Sequence, residues 1–241
     1  MNSGLYAALS GAVAATERLD TIASNLANAN TAGFKRDRIT FESILDTAAA
    51  VAPGDDPRFV SSRHGIDFTQ GALRQTGNRW DLAIEGDGFF SIQTPQGVAY
   101  TRQGSFRLDA AGRVVSPDGY PLLANGAPLT IPPGATTVVI DPQGGVSVDG
   151  AQRGRLDIVD FTKPYPLQKE GGGLFRPTGG GRPRPAQGAR VSQGYLEETN
   201  ITPVGEMVQM IDTNRHYEAC TRVIRSFDDI TGKAVNDLGK L

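Results

Sequence analysis

The chain has 241 residues, with 24 Lys and Arg against 26 Asp and Glu, and it is rich in turn formers, with 30 Gly and 15 Pro. The near-neutral balance speaks against nucleic acid as the main partner, which usually shows as a clearly basic domain, and the length suffices to bury a sizeable core in one domain or two. A single cysteine, Cys220, excludes an intrachain disulfide and a CxxC-type metal cluster, and the absence of any run of about 18 apolar residues argues against membrane insertion.

Residues 1 to about 30 read as one helix. Leu5, Leu9, Ala12, Thr16, Leu19, Ile22 and Leu26 recur at spacings of three and four, close to a heptad seam. The first thirty residues carry charge only at Glu17, Arg18 and Asp20, and Ala, Ser, Thr and Asn fill nearly every other side. A helix covered on one face has charges on the other; this one has the composition of a helix surrounded by neighbours. Ala12-Val13-Ala14 resembles a signal-peptidase site, but no basic region precedes it and Ser3, Gly4, Ser10 and Gly11 interrupt the apolar stretch, so no cleaved signal is expected.

The helix runs into "NLANANTAGFKR", Asn25 to Arg36. Gly33 is expected at the left-handed position beyond the helix end, with Phe34 folding back on the last turn. Asn25, Asn28, Asn30 and Thr31 supply polar groups for terminal carbonyls and amides, and Lys35 and Arg36 stand near the negative end of the helix dipole. Residues 46–57, "DTAAAVAPGDDP", read as a joint closing a first section of residues 1–45.

From 58 to 200 the pattern changes to short alternating runs and turn signals. "DLAIEGDGFFSIQT" gives two strands around Gly86-Asp87-Gly88, and Asp109-Ala-Ala-Gly112 and Pro117-Asp118-Gly119 are hairpin turns. "TTVVIDPQGGVSVDG" (Thr136 to Gly150) repeats the pattern. Strands without intervening helical periods point to an antiparallel sandwich or barrel-like domain. Within it, residues 171–188 read as a Gly/Pro-rich surface loop whose Arg176, Arg182 and Arg184 are available to a neighbouring molecule.

Residues 201–241 return to helix. Thr202-Pro203 followed by Glu206 marks its start, and Met207, Ile211, Tyr217, Cys220, Ile224, Phe227, Ala234 and Leu238 continue spacings of three, four and seven. The fold class is therefore α+β: terminal helices (1–45 and 201–241) pairing as a coiled-coil-like domain, and a central antiparallel all-β domain over 58–200.

Little in the sequence points to catalysis. His64 and His216 lie in different sections, which argues against a metal centre, and Cys220 falls on a helical seam, where a small apolar role suits it. Gly86-Asp87-Gly88 lacks the third glycine and the following helix of a phosphate cradle. The expectation is no enzyme and no cofactor. Function is instead sought in assembly: an alanine-rich helix buries little area against one partner, so Leu5, Leu9, Leu19, Ile22 and Leu26 are expected to pack with Met207, Ile211, Ile224, Phe227 and Leu238 both within the chain and between copies. A secreted carbohydrate-binding β domain with helical arms is the alternative from another class, disfavoured by a single Trp and six Tyr.

These motifs are similar to a known family. "SNLANANTAGFKR" (Ser24 to Arg36) resembles the N-terminal signature of flagellar rod and hook proteins, the axial proteins of the bacterial flagellum. The resemblance continues through "QGALRQTGNRWDLAIEGDGFF" (Gln70 to Phe90) and "YTRQGSFRLDAAGRVVSPDGYPLL" to "QGYLEETNITPVGEMVQMIDTNRHYEA" (Gln193 to Ala219), nearly the whole chain in order. Trp80 departs from it where an aliphatic residue is common. Length places the chain nearest the proximal rod members, with distal rod members as close rivals. The resemblance implies a structural subunit of the hollow drive shaft, its end helices enclosing the export channel and its β domain outside. It implies self-association, contact with other rod proteins and with the flagellar export apparatus, export without a cleaved signal, and a periplasmic place near peptidoglycan.

Overall fold

The computed structural model describes residues 2–43 and 60–238, so the expected joint at 46–57 lies outside the described residues. The chain forms two compact units: Met1–Ala29 with Arg36–Asp67 and Ile201–Leu241, and Asn30–Lys35 with Phe68–Asn200.

The first unit contains helix α1 (Asn2–Ala27), the hairpin β1 (Arg36–Ser43) and β2 (Val60–Asp67), and helix α2 (Pro203–Leu238). Pro203 opens α2, where its missing N–H costs nothing, and the Glu206 N–H donates to the Thr202 carbonyl at 3.0 Å. The helices pack antiparallel, with Gly4 against the Phe227 ring and Gly11 against Cys220 Sγ; a Cβ built at either glycine would lie 3.0 Å from those atoms. Ala8, Ala12, Ala15 and Ile22 form the buried face of α1. Thr16, Thr21, Thr213, Thr221 and Thr231 each donate their hydroxyl to the carbonyl four residues back, at 2.7 to 3.0 Å.

The β1–β2 hairpin was not anticipated. Its strands pair antiparallel from Arg36↔Asp67 to Ser43↔Val60, where the sequence reading had extended the helical section. "RDRITFES" opens with three consecutive charged residues and leaves only Ile39 and Phe41 alternating, so its pattern is weak as a burial signal.

In the second unit, β3 (Leu73–Gln75) pairs with Tyr195–Glu197 and β4 (Leu82–Glu85) with Arg190–Gln193. Strands β5 (Phe89–Thr94) and β6 (Gly97–Thr101) form a hairpin at the centre of a six-stranded antiparallel sheet. A three-stranded sheet (Val138–Ile140, Gly145–Val148, Ala151–Arg155) and smaller hairpins close over it. Leu82, Ile84, Phe90, Ile92, Val114, Leu122 and Val146 make one core, against which Trp80 packs partly buried. The predicted turn at Asp109–Gly112 forms as expected: Asp109 Oδ1 accepts the N–H groups of Ala111 and Arg113, and Gly112 takes φ +77°.

The expected surface loop 171–188 is half sheet. Leu174–Pro177 pairs with β6, and Phe175 is fully buried. Arg176 chelates Glu170 and bonds the Gln96 carbonyl, while Arg184 binds Asp160 at 2.8 Å, so these two arginines serve their own unit. Arg182 remains exposed.

Candidate functional site

The residues expected to drive assembly are divided by the structure into inward and outward sets. Ile22 is buried; Leu5, Leu19, Leu26, Ile224 and Phe227 are half-buried; Leu9, Met207 and Ile211 are exposed at 51%, 49% and 53%. The Leu238 side chain lies outside the described residues. The cause is geometric. Gly4, Ala8, Gly11, Ala12 and Ala15 let α1 approach α2 closely, so the smallest side chains occupy the contact and bulkier ones turn away. Tyr6, Leu9 and Val13 thus form an outward stripe on α1, and Val204, Met207, Val208 and Ile211 another on α2. Contiguous apolar surface of this kind marks an interaction site in a protein that is not aggregating.

The end of α1 is built differently from the expected cap. Asn28 N–H and Nδ2 both donate to the Ser24 carbonyl, which closes the last turn. Asn25 is 1% exposed and reads the backbone of β1: its Nδ2 donates to the Asp37 carbonyl at 2.9 Å and its Oδ1 accepts the Asp37 N–H at 2.8 Å. That two-bond lock ties the hairpin to the helix. Asn30, Thr31, Gly33 and Phe34 belong to the other unit. Gly33 does take a positive φ of 69°, but its N–H donates to the Glu197 carbonyl and a Cβ would meet the Arg102 backbone at 2.4 Å. Phe34 is buried with Lys169 Nζ over its ring at 3.8 Å. Both residues therefore shape the β unit, a correction to their expected capping role.

The two cations after Phe34 are likewise committed elsewhere than to the helix dipole. Arg36 Nε lies 2.8 Å from Glu206 Oε1 within the helical unit. Lys35 is fully buried in the β unit, with Nζ donating to Glu197 Oε1 at 2.6 Å and to the Thr69 carbonyl at 2.7 Å. Arg102 donates to Glu197 Oε2 at 3.1 Å and to the carbonyls of Ile84 and Gly86, and the Gly71 N–H also reaches Glu197. Asn200 Nδ2 donates to the same Thr69 carbonyl as Lys35. Segments 33–35, 69–71 and 197–200 are thereby stapled at one buried charge cluster. Sequence reasoning missed it because Lys35 and Glu197 stand 162 positions apart and no local pattern links them.

Asp87, in the Gly86-Asp87-Gly88 turn, accepts from Lys163 Nζ at 2.8 Å and from the Tyr165 hydroxyl at 3.1 Å. The Lys163 hydrogen bond holds its carboxyl below the ordinary carboxylate range, while burial pushes the Tyr165 phenol above its usual value. Because the folded value of Asp87 is depressed, its contribution is present above about pH 4 and is lost as pH falls through the lowered value. Both partners are more than half exposed, at 60% and 57%, which keeps that contribution under about 1 kcal/mol. Lys163→Ala is expected to raise the Asp87 titration midpoint, followed by carboxyl-carbon NMR, and to lower stability near neutral pH by less than about 1 kcal/mol.

Among the described residues no group of three or more His, Cys, Asp or Glu is placed to hold a metal, and no helix is long and apolar enough to cross a membrane. Cys220 Sγ lies 3.8 Å from His216 Nε2 on one face of α2, against Gly11.

Residues 5–35 match the family described as flagella basal body rod protein, residues 83–148 the flagellar hook protein FlgE/F/G D1 domain, and residues 192–238 the flagellar basal body rod FlgEFG protein C-terminal family. Among similar proteins, the flagellar basal-body rod protein FlgF of Caulobacter vibrioides is 35% identical over 245 residues, covering all of both chains. FlgF of Rhizobium meliloti is 36% identical over 250 residues, covering 99% of each chain. FlgG of Bacillus subtilis is 34% identical over 261 residues, covering 98% of this chain and 99% of that protein.

Proposed function

The chain belongs to the family of flagellar basal-body rod proteins, and from that premise we propose how this structural subunit of the rod assembles: α1 and α2 of neighbouring copies pack side by side, burying the outward stripes that the chain leaves uncovered by itself. The observation that carries this reading is the exposure of Tyr6, Leu9 and Val13 on α1 and of Val204, Met207, Val208 and Ile211 on α2. The inward pairing of α1 with α2 is coiled-coil-like, and the outward stripes supply the contacts from copy to copy. Head-to-tail repetition of such contacts gives a helical tube. The helices line the export channel, and torque is shared over many shallow contacts.

The subunit is of the proximal, FlgF type. The alignments with two FlgF relatives run to 245 and 250 residues, whereas that with Bacillus FlgG runs to 261, which matches a chain without the extra length of the distal type. It passes the flagellar export apparatus unfolded, without a cleaved signal, and assembles in the periplasm beside other rod proteins and near peptidoglycan. Label density at the proximal end of isolated basal bodies supports this placement; density at the distal end overturns it.

Leu9→Asp is expected to lower the stability of the purified chain by no more than about 1 kcal/mol, because half of the side chain is already in water. The same change places a charge inside every inter-copy contact of that stripe, and basal-body immunoblots should show rods depleted of the protein. Normal incorporation of Leu9→Asp would exclude the outward stripe from the assembly.

A further inference from the structure

We propose that a polar cavity in the helical unit is a socket for the Glu218–Arg222 turn of α2 from a second copy of this chain. The cavity measures about 440 Å³ and lies among α1, the base of the β1–β2 hairpin and the start of α2. Glu206 forms its buried floor at 2% exposure. One carboxylate oxygen, Oε1, is engaged by Arg36, whereas Oε2 is buried without a hydrogen-bond partner. A buried carboxylate oxygen left unpaired is costly, and a site of this size can admit the donor that would satisfy it. Arg18 and Arg38 line the same cavity and are exposed at its rim. Asp37 and Asp67 line the cavity as well, so it is near charge balance; the occupant that satisfies Oε2 presents an N–H donor to the floor, and a carboxylate beside that donor meets the exposed rim arginines.

The chain carries such a pair on its own surface. Glu218 and Arg222 are four residues apart on α2, hence on one face one turn from each other, and both are exposed. Neither is in an ion pair among the described residues: Glu218 accepts only a 3.3 Å hydrogen bond from Asn214. Insertion of the Arg222 guanidinium satisfies Glu206 Oε2, and Glu218 then meets Arg18 or Arg38. Socket and plug sit at different heights of α2, Glu206 in its first turn and Arg222 just past its middle, so the contact joins unlike patches and, repeated head to tail, propagates from copy to copy. The inference rests on the rod-subunit reading and adds to it a specific polar register, which the apolar stripes lack.

The test is a charge-reversal cycle scored by subunit content of isolated basal bodies. Arg18→Glu and Glu218→Arg, each at an exposed position, are expected to lower incorporation by about tenfold singly, and the double reversal to restore it. Arg222→Gln, at an exposed position, should weaken incorporation while the helical circular-dichroism melt of the purified chain stays near that of the unaltered protein. Single reversals that incorporate normally, or a double reversal that fails to rescue, would overturn the socket. The rod reading stands apart from that result, because it is read from the presence of the unaltered chain in the rod and from the loss caused by Leu9→Asp.

Discussion

Glu197→Gln is expected to cost about 3–5 kcal/mol of β-unit stability, the range for breaking a buried ion pair from one side. For a unit of this size that corresponds to a melting temperature lower by about 10 °C, measurable by calorimetry. The carboxylate pairs with both Lys35 and Arg102, whose side chains are 1% and 4% exposed. Glutamine keeps the shape but leaves two buried cations facing a neutral amide. The adjacent residue supplies the control. Glu198 pairs with Arg74 at 3.0 Å, but their side chains are 48% and 58% exposed, so Glu198→Gln should change stability by less than about 1 kcal/mol. Equal effects of the two substitutions would show that burial of the cluster carries no energetic weight.

Removal of residues 2–29 is expected to abolish incorporation into the rod and with it motility, while the β unit keeps a cooperative melt. The deletion takes all of α1 and none of the residues that build the charge cluster, since the β unit begins again at Asn30. It strips α2 of the Ala8, Ala12, Ala15 and Ile22 face and removes the outward Tyr6–Leu9–Val13 stripe at once. Motility on soft agar, basal-body immunoblots and calorimetry of the purified remainder read the three expectations separately. A truncated chain that still enters rods would refute assembly through the terminal helices.

Local signals were legible in the sequence where the structure satisfies them locally. The Asp109–Gly112 turn is written in its own side-chain bonds, and Thr202-Pro203 marks the start of α2 because the cap and the ring act within one turn. Both helices and the antiparallel character of the central region follow from periodicity. Besides the β1–β2 hairpin, three things did not follow. The seam between the helices shifted from leucines to alanines, because a heptad count ranks positions by bulk whereas Gly4 and Gly11 set how near the backbones come. The strand Leu174–Pro177 was hidden by the glycines and arginines around it, although Phe175 is among the most buried residues. The charge cluster joins Lys35, Arg102 and Glu197 from distant parts of the chain, and the sequence read at face value placed Lys35 at a helix end.

The five threonines that bond back into their own helices have a mechanical consequence. A free hydroxyl would need a mate at a fixed angle on the adjoining molecule, whereas these hydroxyls already donate within their own helix and need no acceptor outside it. Under twist, whatever these threonines touch on an adjoining subunit can slide by a fraction of an ångström and settle again without rupturing a hydrogen bond that they donate, as a turning shaft requires of its own material.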